Sequence, residues 1–475
     1  MRRLAVLVAA SIFFACTSAS ALTLADCHVP HVKDALRCGT FAVPENYARK
    51  GGRQLALPVI VIPSQTKPAK EPLFFLSGGP GEAATQEAPG FAQSWIRKEH
   101  EVVLVDMRGT GKATRLDCDL GGTDAHPQEY MEPLFHDGAA YGACAKALAR
   151  TADLTQYTTT IAMRDLDGLR QALGYGKIDI FGGSYGTRAG IVYLRLYAKN
   201  VRAAVLSGVS ALSERGPLYH AQSAQRALDI LAAQCAADAA CHRAYPDVKG
   251  DLGAILATLR AKPALVTLKH PATGKKFTAT LTASGFADGL RVMLYDEQTG
   301  RSVPLLLKRA RAGDYTPFAQ IALENGRGLK QALAMGLLLS VTCTEDVSRI
   351  RPEEVARETA GSFIGDWRVR GQMAACGAWP KGELPADYAA PFTTDVPVLL
   401  ISGNLDPVTP PHWAVDAQKS FPNSLHVVMP GAHVSDNDCV DALMKRFIAT
   451  ASVKGLDTSC AAKTKLPPFE MAKKG

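Results

Sequence analysis

Hydrophobic positions along the chain follow two different periods. Leu55, Leu57, Val59 and Val61 recur at every second position, the spacing of a strand with one face turned to a core. Residues 73–76, 101–106, 178–181, 201–209, 396–403 and 425–429 are short apolar runs of the kind that strands buried on both faces require. Helical stripes lie between them. Ile161, Leu166, Leu169 and Leu173 share one face from Thr158 to the stop at Gly174 to Gly176, and Ala189, Ile191, Val192, Leu194 and Tyr197 continue from the run at 178–181. Strand and helix alternate in this way to about residue 212, which predicts a mostly parallel central sheet with helices on both faces. The alternation then breaks. Ala224, Leu228, Leu231 and Cys235 form one helical stripe and Leu252, Ile255, Leu256 and Leu259 another, while Val266 and Leu268 face Phe277, Ala279 and Leu281 across a turn at Thr273-Gly274. Alternation resumes at 396. The expected organisation is an α/β core in two parts, residues 22–212 and 388–475, with a mostly helical cap at 213–387 inserted before the last strands. The stretch from Cys118 to Cys144 has no period and reads as a long polar loop closed by a disulfide.

The first 21 residues change the picture of where the protein works. Arg2 and Arg3 precede an apolar run at 4–15 and then Ala19-Ser20-Ala21, the layout of a cleaved secretory signal, so the mature chain is expected to begin at Leu22 in a secreted or periplasmic protein. That run is shorter than the ~20 residues that span a bilayer, and no stable membrane insertion is expected once it is removed. The bulky Phe13 and Phe14 speak against Cys16 as a lipid attachment site. Of 11 cysteines, loss of Cys16 leaves ten, an even number suited to five disulfides. Near neighbours are the expected pairs: Cys27 with Cys38, Cys118 with Cys144, Cys235 with Cys241, Cys343 with Cys376, and Cys439 with Cys460. No C-x-x-C pair occurs, and neither zinc nor any other cofactor is expected. The net charge of +8 is scattered, and its densest cluster, Lys308-Arg309-Ala310-Arg311, reads as a solvated helix face, so no nucleic-acid partner is expected.

The chemistry sits where predicted strands end. Gly182-Gly183-Ser184-Tyr185-Gly186 follows one strand and opens a helix, so Ser184 occupies a sharp turn whose small neighbours leave its hydroxyl clear. Asp406 and His433 each follow one of the last two strands, at Asn404-Leu405-Asp406 and Gly431-Ala432-His433. Nucleophile, acid and base thus occur in the chain order Ser184, Asp406, His433 that an α/β-hydrolase arrangement requires. Ser77-Gly78-Gly79-Pro80-Gly81-Glu82 ends a further strand in a turn whose N–H groups suit an oxyanion hole.

Together with Asp106-Met107-Arg108-Gly109-Thr110-Gly111 and Gly403-Asn404-Leu405-Asp406-Pro407-Val408-Thr409-Pro410, these motifs make the chain resemble the secreted α/β-hydrolases that include the proline iminopeptidases and tripeptidyl aminopeptidases. The resemblance runs over nearly all the mature chain. It implies an α/β-hydrolase fold, a Ser184, His433 and Asp406 triad, and oxyanion donors at the N–H of Tyr185 and of Gly79 rather than Gly78. Ser77 stands where the family often has histidine, Ala113 where it often has serine, and Tyr185 where the proline iminopeptidases usually have tryptophan, which places this chain nearer the tripeptidyl type. The expected activity is serine aminopeptidase action on peptide substrates. An esterase of the same fold and a silent binding protein are the alternatives. An enzyme that acts from the N-terminus must anchor an ammonium group, and Glu345 and Asp346, beyond the apolar run at 335–341, are the candidates.

Overall fold

The computed structural model describes residues 22–472, apart from positions 119 and 121. The leader expected at residues 1–21, including Cys16, lies outside the described residues. In chain order the strands are β1 (Thr23–Cys27), β2 (Leu36–Pro44), β3 (Gln54–Ile62), β4 (Lys70–Leu76), β5 (His100–Val105), β6 (Ile178–Gly183), β7 (Val201–Ser207), β8 (Ala264–Lys269), β9 (Lys276–Leu281), β10 (Val398–Gly403) and β11 (Ser424–Met429). Nine of them form one sheet in the order β1-β2-β3-β5-β4-β6-β7-β10-β11. From β5 to β11 neighbours run parallel, and β1, β2 and β3 add an antiparallel edge. The sheet is therefore mostly parallel, as the alternation predicts. β1 and β2 are additions, because an edge strand with a burial pattern as broken as that of β1 carries little apolar periodicity to read.

The order of strands explains where a site can form. The chain leaves the sheet after β7 and returns with β10 directly beside it, Val398 paired with Ala204. The intervening chain forms helices, among them Gly216–Ala237, Val248–Ala261, Ala283–Met293, Glu297–Arg311 and Thr316–Ala332, and the separate β8–β9 ribbon with Val266 opposite Ala279. These close a core of their own around Leu228, Leu252, Phe286, Leu290 and Phe318. Lys308, Arg309 and Arg311 are exposed on their helix. Helix Met335–Glu345 behaves differently. It is buried at every residue, its polar side chains Ser340, Thr342, Thr344 and Glu345 each hydrogen-bonded, and it packs with Tyr157 and Tyr185 in the main core.

All five disulfides join the cysteines expected from near-neighbour pairing. Cys343–Cys376 ties helix Met335–Glu345 to helix Trp367–Gly377. The segment between Cys118 and Cys144 differs from the plain loop expected. Helix Gly138–Leu148 begins inside it and runs past Cys144, its alanines favouring helix by propensity without a hydrophobic period, and the segment buries Phe135 and Tyr141. The arginine-glycine motif holds the core together. Arg108, fully buried, gives two 2.7 Å hydrogen bonds to the Asp165 carboxylate and others to the carbonyls of Glu45 and Gln156.

Candidate active site

Ser184 stands between β6 and helix Tyr185–Tyr197 with φ of 53°, a left-handed conformation that a serine adopts only under compulsion. The glycines supply the compulsion. A Cβ on Gly186 would fall on the carbonyls of Leu76 and Ser77, and one on Gly182 on the backbone of Gly186, so only glycine lets the turn close this tightly. The Ser184 N–H donates to the Ser207 carbonyl at 2.9 Å, fixing the turn to β7. As the residue before the first helical turn, Ser184 leaves the Tyr185 N–H without an intrahelical acceptor.

The other two expected groups meet across the ends of β10 and β11. His433 Nδ1 lies 2.8 Å from Asp406 Oδ2. Asp406, with no exposed surface, also accepts from the N–H groups of Val408 and Thr409 and from the Thr409 hydroxyl, each at 2.8 Å. Burial opposes its ionisation, but His433 and these N–H donors outweigh it and hold the carboxyl below its usual value. The helical insertion clamps the histidine loop from above. The His433 N–H donates to the Tyr295 carbonyl at 3.2 Å, the Ala432 N–H to Glu297 at 3.2 Å, and the Tyr295 ring meets the imidazole edge to face at 5.0 Å.

Ser184 and His433 line one cavity of about 370 Å³, within the size range of small-molecule sites, together with Gly78, Gly79 and Tyr185. The glycine turn brings a carboxylate with it. Glu82 lines the cavity, and burial, with Glu87 nearby, pushes its carboxyl up against the pull of His433.

The two acidic residues singled out in the sequence part company. Glu345 does not line the cavity: its oxygens accept from the Thr159 N–H at 2.6 Å and from the hydroxyls of Thr159 and Tyr388 at 2.7 and 2.8 Å, and burial pushes its carboxyl up. It braces the helix behind Tyr185, whose phenol oxygen lies 2.7 Å from the Thr159 hydroxyl. Asp346 does line the cavity. Its Oδ1 accepts from Arg188 at 2.7 Å, and its Oδ2 has no hydrogen-bond partner among the described residues. Glu214 stands on the other side of Arg188 at 3.8 Å, its Oε2 accepting from the Ser210 hydroxyl, and burial pushes its carboxyl up to about 7. Glu214, Thr409, Tyr295, Arg188 and Glu82 were not foreseen. Glu214, Tyr295 and Arg188 belong to no motif and reach the cavity only through the tertiary fold, whereas Glu82 and Thr409 lie within motifs but were given no role.

A mostly parallel sheet, a serine on a strained strand-to-helix turn and an Asp-His pair on later strand ends define an α/β-hydrolase. Comparison with known proteins agrees: the profile of the alpha/beta hydrolase fold matches residues 71–241, and that of the TAP-like proteins matches residues 361–460. The chain is 25% identical to serine protease Hip1 of Mycobacterium tuberculosis over 462 residues, covering 89% of this chain and 87% of that protein. It is 24% identical to a tripeptidyl aminopeptidase of Streptomyces coelicolor over 466 residues, covering 90% and 83%. A carboxylesterase B of M. tuberculosis is 25% identical over 468 residues, covering 90% and 86%. The chain has the α/β-hydrolase fold, it is a serine hydrolase, and over nearly its whole length it is similar to peptidases of the TAP-like group.

Proposed function

We propose that the protein is an exported serine aminopeptidase that removes short N-terminal pieces from peptides by way of an acyl-enzyme on Ser184. The observation that carries the proposal is the strained Ser184 turn sharing one cavity with His433, whose far ring nitrogen lies against Asp406. With Nδ1–H donated to Asp406, His433 offers Nε2 to take the Ser184 proton. The freed oxygen attacks the scissile carbonyl, whose oxygen gathers charge between the N–H groups of Tyr185 and Gly79. Collapse expels the amine, which takes the proton from His433, and a water activated by the same histidine then releases the N-terminal piece.

The aminopeptidase reading is supported by the acidic side of the cavity. Asp346 lines the cavity, and although Arg188 and Arg349 both stand at its Oδ1, its Oδ2 has no hydrogen-bond partner among the described residues and is open to a substrate ammonium. The name of the Streptomyces relative is consistent with it, and the name of the carboxylesterase relative keeps an esterase as the second reading. Five disulfides support a place in an oxidising compartment outside the cytoplasm. The proposed nucleophile is tested with a fluorophosphonate probe. Wild type should be labelled on Ser184 and Ser184→Ala should not; labelling that persists in the variant would assign the nucleophile elsewhere.

A further inference from the structure

The cavity also carries positive charge that the protein itself does not neutralise. Arg291, on helix Ala283–Met293, gives its Nε to Asp288 at 3.1 Å and its Nη1 to the Tyr295 hydroxyl at 2.8 Å. Arg368, on helix Trp367–Gly377, has no such partner. It is 6% exposed, lines the cavity and rests against the Phe135 ring at 4.5 Å, yet its Nε and Nη1 are buried without a hydrogen bond, and it forms no ion pair among the described residues. Burial, reinforced by Arg291, pulls its pKa down to about 10, the response of a guanidinium that lacks an anion. Beside it in the same cavity, His220 Nδ1 and Gln372 Oε1 are also buried and unpartnered.

Buried polar groups without partners are costly, and a buried charge without a counterion more so. Proteins keep such groups where a ligand completes them. The cavity thus offers two open groups of opposite sign: the unpartnered Oδ2 of Asp346 and, on Arg368, a guanidinium without an anion. A ligand matching both carries an ammonium and a carboxylate within the span of one cavity. We propose that Arg368 is the centre of an anion subsite, and that the preferred substrates are short peptides bearing a carboxylate near their free amino terminus. This specificity rests on the peptidase reading above. Two sources share the chemistry, an Asp or Glu side chain in the first residues or the α-carboxylate of a very short peptide.

The test uses matched peptides with Glu or Gln at the first, second or third position, each made as the free acid and the C-terminal amide. Wild type should favour the acid at one of these places by roughly 10- to 100-fold in kcat/KM, the scale of a hydrogen bond to a charged group. A preference for Glu over Gln assigns the subsite to a side chain, and one for free acid over amide assigns it to the chain end. The preference should collapse in Arg368→Gln and survive in part in Arg368→Lys. Cleavage of the peptides with no preference in any arm overturns the subsite and leaves the peptidase reading standing. Calorimetry of the same pairs on Ser184→Ala reads the subsite without turnover: tighter binding of the acid supports it even if no peptide is cut, and equal binding overturns it.

Discussion

Four hydrogen bonds converge on the Asp406 carboxylate, and only one comes from His433; the others, from Val408 and from the backbone and hydroxyl of Thr409, hold it in place whether or not the histidine is present. Asp406→Asn should therefore fold with a melting temperature near that of wild type while kcat falls by roughly 10⁴-fold, because an amide favours the wrong imidazole tautomer. A variant that unfolds, or one that keeps its rate, would contradict the role given to Asp406. Glu214 offers a different residue-scale test. Its folded pKa of about 7 lies above the ordinary 4.5, so the folded chain holds that proton more tightly than the unfolded one. The stability this provides is complete below about pH 4.5 and is lost as pH rises to about 7. Glu214→Gln stays neutral throughout, so the difference in melting temperature, variant minus wild type, should grow across that window; a difference independent of pH would mean that Glu214 titrates normally. At this scale the sequence is legible for Ser184, Asp406 and His433, because each sits in a short motif at a strand end. Arg368, Tyr295 and Glu214 lie in helices or loops whose local pattern reports only burial, and nothing in it marks which buried side chain meets the cavity.

Among the elements, helix Met335–Glu345 links the sheet to the insertion. Glu345 fixes it to the helix that starts at Thr159, Asp346 fixes it to helix Tyr185–Tyr197 through Arg188, and Cys343–Cys376 fixes it to helix Trp367–Gly377. Closing 33 residues of chain separation, that disulfide should contribute roughly 3–4 kcal/mol, and replacing both cysteines by alanine should lower the unfolding free energy by about that much in denaturant titrations. Loss of well under 1 kcal/mol would mean that the bridge constrains little. The two acids at the end of this helix make a sharper contrast. Glu345→Gln should leave the rate ratio of free to N-acetylated peptide at its wild-type value, since Glu345 has no face on the cavity, whereas Asp346→Asn should reduce that ratio. The reverse result would return the ammonium site to Glu345. The sequence announces this helix by its apolar run but not its route, for adjacent acids at a helix end look alike until the fold decides which neighbour each meets. The helix at Gly138–Leu148 was hidden for the opposite reason, its alanines giving propensity without a face.

For the molecule as a whole, the arrangement is a sheet that presents Ser184, Asp406 and His433 from β6, β10 and β11, and a helical insertion that closes over them. The sheet was legible because its strands are buried on both faces and read as apolar runs; the insertion was legible as helices but not as an electrostatic surface, since its charges come from separate helices. The central claim is that this enclosure admits peptides by their free amino terminus. The most direct test is the kcat/KM of wild type for one short peptide with a free amino terminus and for its N-acetylated form, with products identified by mass. The free peptide should release an N-terminal piece and the acetylated form should react at least tenfold more slowly; equal rates on the two, or cleavage only at internal bonds, would contradict entry by the free amino terminus.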